Sequence, residues 1–265
     1  MTLPKRAFAI AAHPDDIEFH MAGTLILLQR AGYEIHYMNI ANGSCGTAEY
    51  GKEEIIAIRR SEAQSAAASI GAAYHDSLVD DLAIFYEPIL LAKVAAVMRE
   101  VSPEILLVHS PQDYMEDHQN AARLAVTAAF ARGMPNFSTQ PPRSPVEQPV
   151  TVYHAQPHSN RDPFGQRVRP DFCVDISHVI AEKRAMLAHH ASQKNWLDRT
   201  QGMDAYLNVM EEMGREVGAM TGRCQFAEGW RKRLHLGFCD EQANPLVTAL
   251  QEYIAFMDET HSGVG

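Results

Sequence analysis

Two apolar runs, Ala7 to Ala12 and Ile105 to Val108, each give way to a loop dense in histidine and aspartate and then to a helical pattern. This repeated order constrains the chain more than any other feature. A run such as Ile105-Leu106-Leu107-Val108, apolar without alternation, suits a strand buried on both faces, and such strands belong to parallel sheets covered by helices. The carboxyl ends of parallel strands share one sheet edge, so polar loops about a hundred residues apart can converge there. The expected fold class is α/β, Rossmann-like and three-layered, with a mostly parallel central sheet and helices on both faces.

The first loop, Ala11-Ala12-His13-Pro14-Asp15-Asp16-Ile17-Glu18, packs one imidazole and three carboxylates into six residues. Carboxylates this close repel one another unless a positive charge shares their site, and a divalent metal is the strongest one available. His13 and Asp16 can supply a nitrogen and an oxygen, which leaves Asp15 free. The simpler alternative is a Pro-Asp-Asp turn whose acids complement a helix N-terminus. Zinc accepts mixed ligands and, in catalytic sites, typically takes three protein ligands plus water. The third ligand is expected from the second loop, His109-Ser110-Pro111-Gln112-Asp113-Tyr114-Met115-Glu116-Asp117-His118, with His118 chosen.

Between and beyond these loops the pattern alternates. Helices are expected over 21–30, 53–70, 87–101, 120–131, from a capping Ser177 to Trp196, and over 203–219. Strands are expected over 33–40, around Tyr74, and over 150–153, 172–176 and 234–238. Residues 134–149, rich in Pro and Ser, read as a surface excursion, and residues 135–149 and the segment around His158 are candidate lids. His154 and His158 follow a strand in another polar loop and are read as exposed loop histidines, with a place at the pocket rim as the alternative. The Gly43 and Gly46 pair lacks the context of a phosphate loop.

At 265 residues, 46% hydrophobic and 21% charged, the chain is expected to form a single domain over 1–265, with the part from about 150 to 265 an appended strand and helix portion. A formal charge of −10 argues against nucleic acid or anionic membrane as an electrostatically bound partner. Cys45, Cys173, Cys224 and Cys239 show no paired spacing, so reduced thiols and a cytoplasmic location are expected. No apolar stretch approaches the roughly 20 residues of a membrane span. A homo-oligomer is left open.

Ala12 through Glu18 match Ala-His-Pro-Asp-Asp-x-Glu, the opening motif of the LmbE-like or PIG-L deacetylases, zinc-dependent hydrolases of N-acetylglucosamine-type amino sugars, and the chain resembles that family. The resemblance continues in order through Arg59 and Glu62, Glu116-Asp117-His118, His190-Ala191-Ser192-Gln193 and Ala227-Glu228-Gly229-Trp230. It implies that His13, Asp16 and His118 bind Zn2+ or another divalent metal, that Asp15 is the general base, and that Arg59 holds the substrate, with Asp113 and Tyr114 as further binding residues. Many family members have His where Met115 stands, and that His helps polarise the substrate carbonyl. Either the metal carries more of that work, or another group such as His190, Tyr114 or a pocket histidine substitutes, or the activity is weak or acts on a different bond; His190 is taken as the second catalytic residue.

The expected activity is removal of an acetyl or other acyl group from an N-acetylated amino sugar or conjugate, by attack of metal-bound water with Asp15 as base. Asp117 is the natural group either to orient a ligand imidazole or to hold the base. The alternatives are an amidase acting on a non-sugar N-acyl substrate, or a non-catalytic protein that binds metal or sugar.

Overall fold

The computed structural model describes residues 5–194 and 205–257. In chain order the elements are β1 (Arg6–Ala11), α1 (Asp16–His20), α2 (Ala22–Arg30), β2 (Glu34–Asn39), α3 (Lys52–Ser69), β3 (Ala73–His75), α4 (Pro88–Val101), β4 (Ile105–Val108), α5 (Glu116–Ala131), β5 (Thr151–Ala155), β6 (Phe172–Asp175), α6 (Ile180–Leu187), α7 (Ala205–Thr221), β7 (Ala227–Lys232), α8 (Pro245–Ala249) and β8 (Ile254–Phe256). All eight strands form one sheet in the order β3-β2-β1-β4-β5-β7-β6-β8. The first five are parallel and the last three pair antiparallel.

The alternation of Ala7, Ala9 and Ala11 against Phe8, Ile10 and Ala12 assigns β1 to two cores. The alanines pack with Leu25 and Leu28 of α2, Ala63 and Ala66 of α3, and Met186 of α6. Phe8 and Ile10 pack with Leu90 and Val94 of α4 and with Ala121 and Ala125 of α5 on the opposite face. This is the expected three-layered α/β architecture. Residues from 150 onward contribute four strands to the same sheet.

The chain runs outward from β1 to β2 and β3, then returns to place β4 on the other side of β1. That reversal is a topological switch point, where open α/β sheets form their ligand crevice. In register Ile10 lies opposite Val108, so the loops after β1 and β4 start side by side.

Several boundaries differ from expectation. The helix carrying His118 begins at Glu116 rather than Asn120, so His118 sits in its first turn and not in a loop. Ser177 does not cap a helix: its hydroxyl bonds to Phe226, and α6 starts at Ile180 and ends at Leu187. The expected end at Trp196, and the start of the next helix at Met203, lie outside the described residues. Residues 234–238 form no strand; Arg132 instead holds the carbonyls of Gly237 and Phe238. The closing strands are β7 and β8.

Candidate active site

A cavity of about 470 Å3 opens at the β1/β4 switch point, with His13, Asp15, Asp16 and His118 in its wall. His13 and Asp16 follow β1, and His118 enters from the first turn of α5. Their ligating atoms fall within 4.8 Å of one another. The Nδ1 of His13 is 3.4 Å from Oδ2 of Asp16, and Nε2 of His118 is 3.3 Å from Oδ1. Metal–ligand bonds of about 2.05 Å in a tetrahedral site separate adjacent donors by roughly 3.3 Å, so this spacing fits a small dication.

The opposite nitrogen of each imidazole is held by a carboxylate. His13 Nε2 lies 3.0 Å from Asp117, and His118 Nδ1 lies 2.9 Å from Asp113. Such pairs fix the ring and the tautomer of a metal-binding histidine. Asp113 and Asp117 are themselves anchored by the N–H groups of Met115 and Leu82, respectively. His109 stacks on His118 with centroids 4.2 Å apart, and its Nε2 accepts the Ala12 N–H.

The charge balance also fits. Burial disfavours a charged His13, but Asp117 and Asp16 outweigh it and bring the imidazole up to about 9. Burial likewise opposes charge on His118, and Asp16 and Asp113 raise it to about 10. Without metal, two protons therefore offset the three carboxylates. A dication replacing those protons leaves the net charge of the site unchanged, so the donor set and the field both suit a divalent metal.

Asp15 does not join this ligand group. Its backbone is left-handed, φ 105°, a conformation uncommon outside glycine that aspartate tolerates better than most residues. That turn directs the carboxylate to the Tyr206 hydroxyl, which donates at 2.7 Å, and to Arg59 at 3.3 Å. Burial pushes the Asp15 carboxyl up, partly countered by Arg59, and the net direction is upward.

Arg59 shares its helix face with Ile55, Ala63 and Ala66, all buried, so the fork points inward rather than forming a surface ion pair. Its terminal nitrogens bond to the Pro14 carbonyl and to Gln193. A Cβ on Gly43 would lie 2.6 Å from the Arg59 Nε, so the Gly43–Gly46 loop makes room for this side chain. Ser192 donates through both its N–H and its hydroxyl to Glu62, so the Arg-x-x-Glu and Ser-Gln segments bind each other directly.

Of the remaining expected site residues, Tyr114 lines the cavity. Asp113 is fully buried behind His118 and is not among the lining residues. His190 also lies outside the wall, fully buried, with Nε2 3.0 Å from Glu18. His158 and Met115 line the cavity, whereas no residue of 135–149 does. His154 is buried, with Nδ1 2.8 Å from the His109 carbonyl. Sequence reasoning missed Tyr206 and His20, and it named His109 without assigning it a role. Tyr206 carries no local motif. His20 is signalled only by its place at the end of the first cluster.

Glu228 of the Ala-Glu-Gly-Trp segment accepts the N–H groups of Gly23 and Thr24 and an ion pair from Lys183, while Trp230 Nε1 donates to Thr24. This segment fastens the antiparallel strands to the start of α2. Among the described residues no helix is long and apolar enough to cross a membrane.

Residues 8–129 match the family model described as GlcNAc-PI de-N-acetylase, PIG-L. The chain is 29% identical to the 4-oxalmesaconate hydratase of Pseudomonas putida, with 86% of this chain and 89% of the relative covered. It is 29% identical to the diacetylchitobiose deacetylase of Thermococcus kodakarensis, with 71% and 70% covered. The solved N,N'-diacetylchitobiose deacetylase from Pyrococcus horikoshii superposes with a TM-score of 0.74 at 22% identity, covering 88% of this chain and 85% of that one. Residues 8–129, which carry most of β1, all of β2 to β4 and every residue of the His13–Asp16–His118 group, are thus similar to the PIG-L family, and the relatives of the chain include deacetylases and a hydratase.

Proposed function

We infer that the chain is a divalent-metal-dependent N-deacetylase acting on an N-acetylated amino sugar or its conjugate, with zinc as the metal. The observation that carries this reading is the convergence of the His13, Asp16 and His118 ligating atoms within 4.8 Å of one another beside a carboxylate, Asp15, that stands outside the ligand group. A structural metal site is usually closed by four protein ligands, whereas three ligands facing a cavity leave a position for water or substrate. A dication bound there lowers the pKa of water and polarises a carbonyl oxygen.

The residues of the chain supply the rest. Asp15 takes the proton from the attacking water and returns it to the departing amine nitrogen. Its upward shift suits both roles, because a base poised nearer the working pH is also a better acid once protonated. Tyr206 and Arg59 hold the carboxylate in place. With its terminal nitrogens already engaged, Arg59 is assigned to positioning Asp15 rather than to gripping substrate. His190 stands farther back, and its charge beside Glu18 adds to the field at Asp15. Asp113 fixes His118.

The cavity has the volume of a small-molecule site. Phe19, Tyr114 and Tyr206 offer ring faces, and Asp81 and Gln193 offer polar contacts for hydroxyl groups. The deacetylase relatives support an amino sugar.

A second reading, hydration of an unsaturated carboxylic acid, is favoured by the hydratase relative, whose match covers 86% of this chain. Purified protein is analysed for metal, then assayed for amine release from N-acetylglucosamine and its glycosides and for loss of absorbance from conjugated dicarboxylic acids. Metal-dependent amine release supports deacetylation. Hydration without amine release replaces it.

A further inference from the structure

Met115 stands in the cavity wall three residues before the ligand His118. A thioether donates no hydrogen bond, so this position gives nothing to an oxygen that gains negative charge. Two imidazoles, His20 and His158, also line the cavity, and among the described residues neither makes a side-chain hydrogen bond.

His158 is coupled to the metal ligands through its backbone. Its N–H donates at 3.2 Å to Oδ2 of Asp113, whose Oδ1 lies 2.9 Å from Nδ1 of His118. One buried carboxylate thus anchors both the His158 backbone and the His118 imidazole. The turn that carries His158 is strained: Ser159 and Asn160 are left-handed, with φ of 59° and 56°. It is held by the fully buried Asn160, whose Nδ2 donates to the Met213 carbonyl at 3.2 Å and to Glu216 at 2.9 Å. Backbone strain at residues other than glycine is retained where the surroundings over-determine it, and it clusters at functional sites.

The ring is packed as well as anchored. Its centroid lies 5.3 Å from Phe19, 5.7 Å from Tyr114 and 6.2 Å from His20. By contrast, Tyr114 is more than half exposed, and His20 is almost wholly buried against His109 and His118. Burial also holds His158 below its usual range, so the ring is neutral near pH 7 and carries one N–H donor.

We propose that His158 is a catalytic residue that donates its imidazole N–H to the carbonyl oxygen of the scissile acyl group, taking over the donation that Met115 cannot make. The donation is a hydrogen bond that strengthens as negative charge grows on the oxygen, and no proton changes owner. This rests on the deacetylase reading above.

The test uses zinc-loaded wild-type protein, His158→Phe, which keeps the ring packing and removes the donor, and the double variant that adds Met115→His. Three quantities are measured: zinc per chain, kcat and KM for amine release from an N-acetyl sugar, and affinity for acetohydroxamate by calorimetry. In His158→Phe, zinc stays at one per chain, kcat falls on the order of 100-fold with KM within about threefold, and acetohydroxamate binds at least about tenfold more weakly. Met115→His restores at least about tenfold of the lost kcat. A kcat within about threefold of wild type, a loss carried by KM alone, or loss of zinc overturns the assignment.

If zinc-loaded wild type releases no amine, the deacetylase reading fails by itself and acetohydroxamate affinity alone decides on His158, unchanged binding overturning it. Should His158→Phe not fold, 15N-histidine spectra of wild type give the answer. A shift of the His158 N–H resonance on acetohydroxamate binding supports the proposal, and an unmoved resonance overturns it.

Discussion

Loading the metal-free protein with zinc near pH 7.5 should expel close to two protons. His13 is raised to about 9 and His118 to about 10, because Asp16, Asp113 and Asp117 surround them. At about pH 7.5 each imidazole is then more than roughly nine-tenths protonated, and a metal can bind only the neutral ring. Calorimetric titration in buffers of different ionisation enthalpy measures the release directly. The apparent zinc affinity should fall about 100-fold for each pH unit lowered between roughly pH 8 and pH 6, since two protons compete with one ion. Release of less than about half a proton, or an affinity flat across that range, would refute the charge-replacement account.

The same shifts fix a stability trend. Both imidazoles have folded pKa values above their unfolded value, so their contribution is complete below about pH 6.5 and is lost as pH rises through about 9 and 10. Metal-free protein should lose several kcal/mol over that window, while zinc-loaded protein stays nearly flat.

Two further substitutions separate positioning from packing. Tyr206→Phe removes the hydroxyl that donates to Asp15 and holds its carboxyl down. Zinc content should be unchanged, kcat should fall on the order of tenfold, and the acidic limb of the pH–rate profile should move upward; an unmoved limb would detach Tyr206 from the base. Glu228→Ala strands the buried Lys183 charge and two N–H groups of α2. Urea unfolding should show a loss of about 3–5 kcal/mol, and a change below about 1 kcal/mol would mean that the anchor is dispensable.

The parallel half of the sheet was legible because its signals are local. The run Ile105 to Val108 forms β4 with those same ends, and the two polar loops meet where parallel topology requires. α5 starts four residues before the expected Asn120; its first turn carries Glu116, Asp117 and His118, residue types that read as loop chemistry. Here the acids favour the helix N-terminus while also serving His13. Ser177 misled because a hydroxyl near a helix start has other partners, here the Phe226 backbone.

Tyr206 could not be found from sequence, since its link to Asp15 spans 191 residues and depends on how α7 packs. The segments that carry the resemblance divide along similar lines. Arg59 faces the cavity, whereas the Glu228 segment and His190 lie behind it as supports.

Zinc stoichiometry in three proteins, measured by elemental analysis after loading and exhaustive dialysis, tests the central claim most directly. Wild type and Asp15→Asn should each retain one zinc per chain, His118→Ala should retain far less, and amine release should vanish in both variants. A wild-type protein that holds no dication, or an Asp15→Asn variant that loses its zinc, would contradict a three-residue metal site with a separate aspartate base.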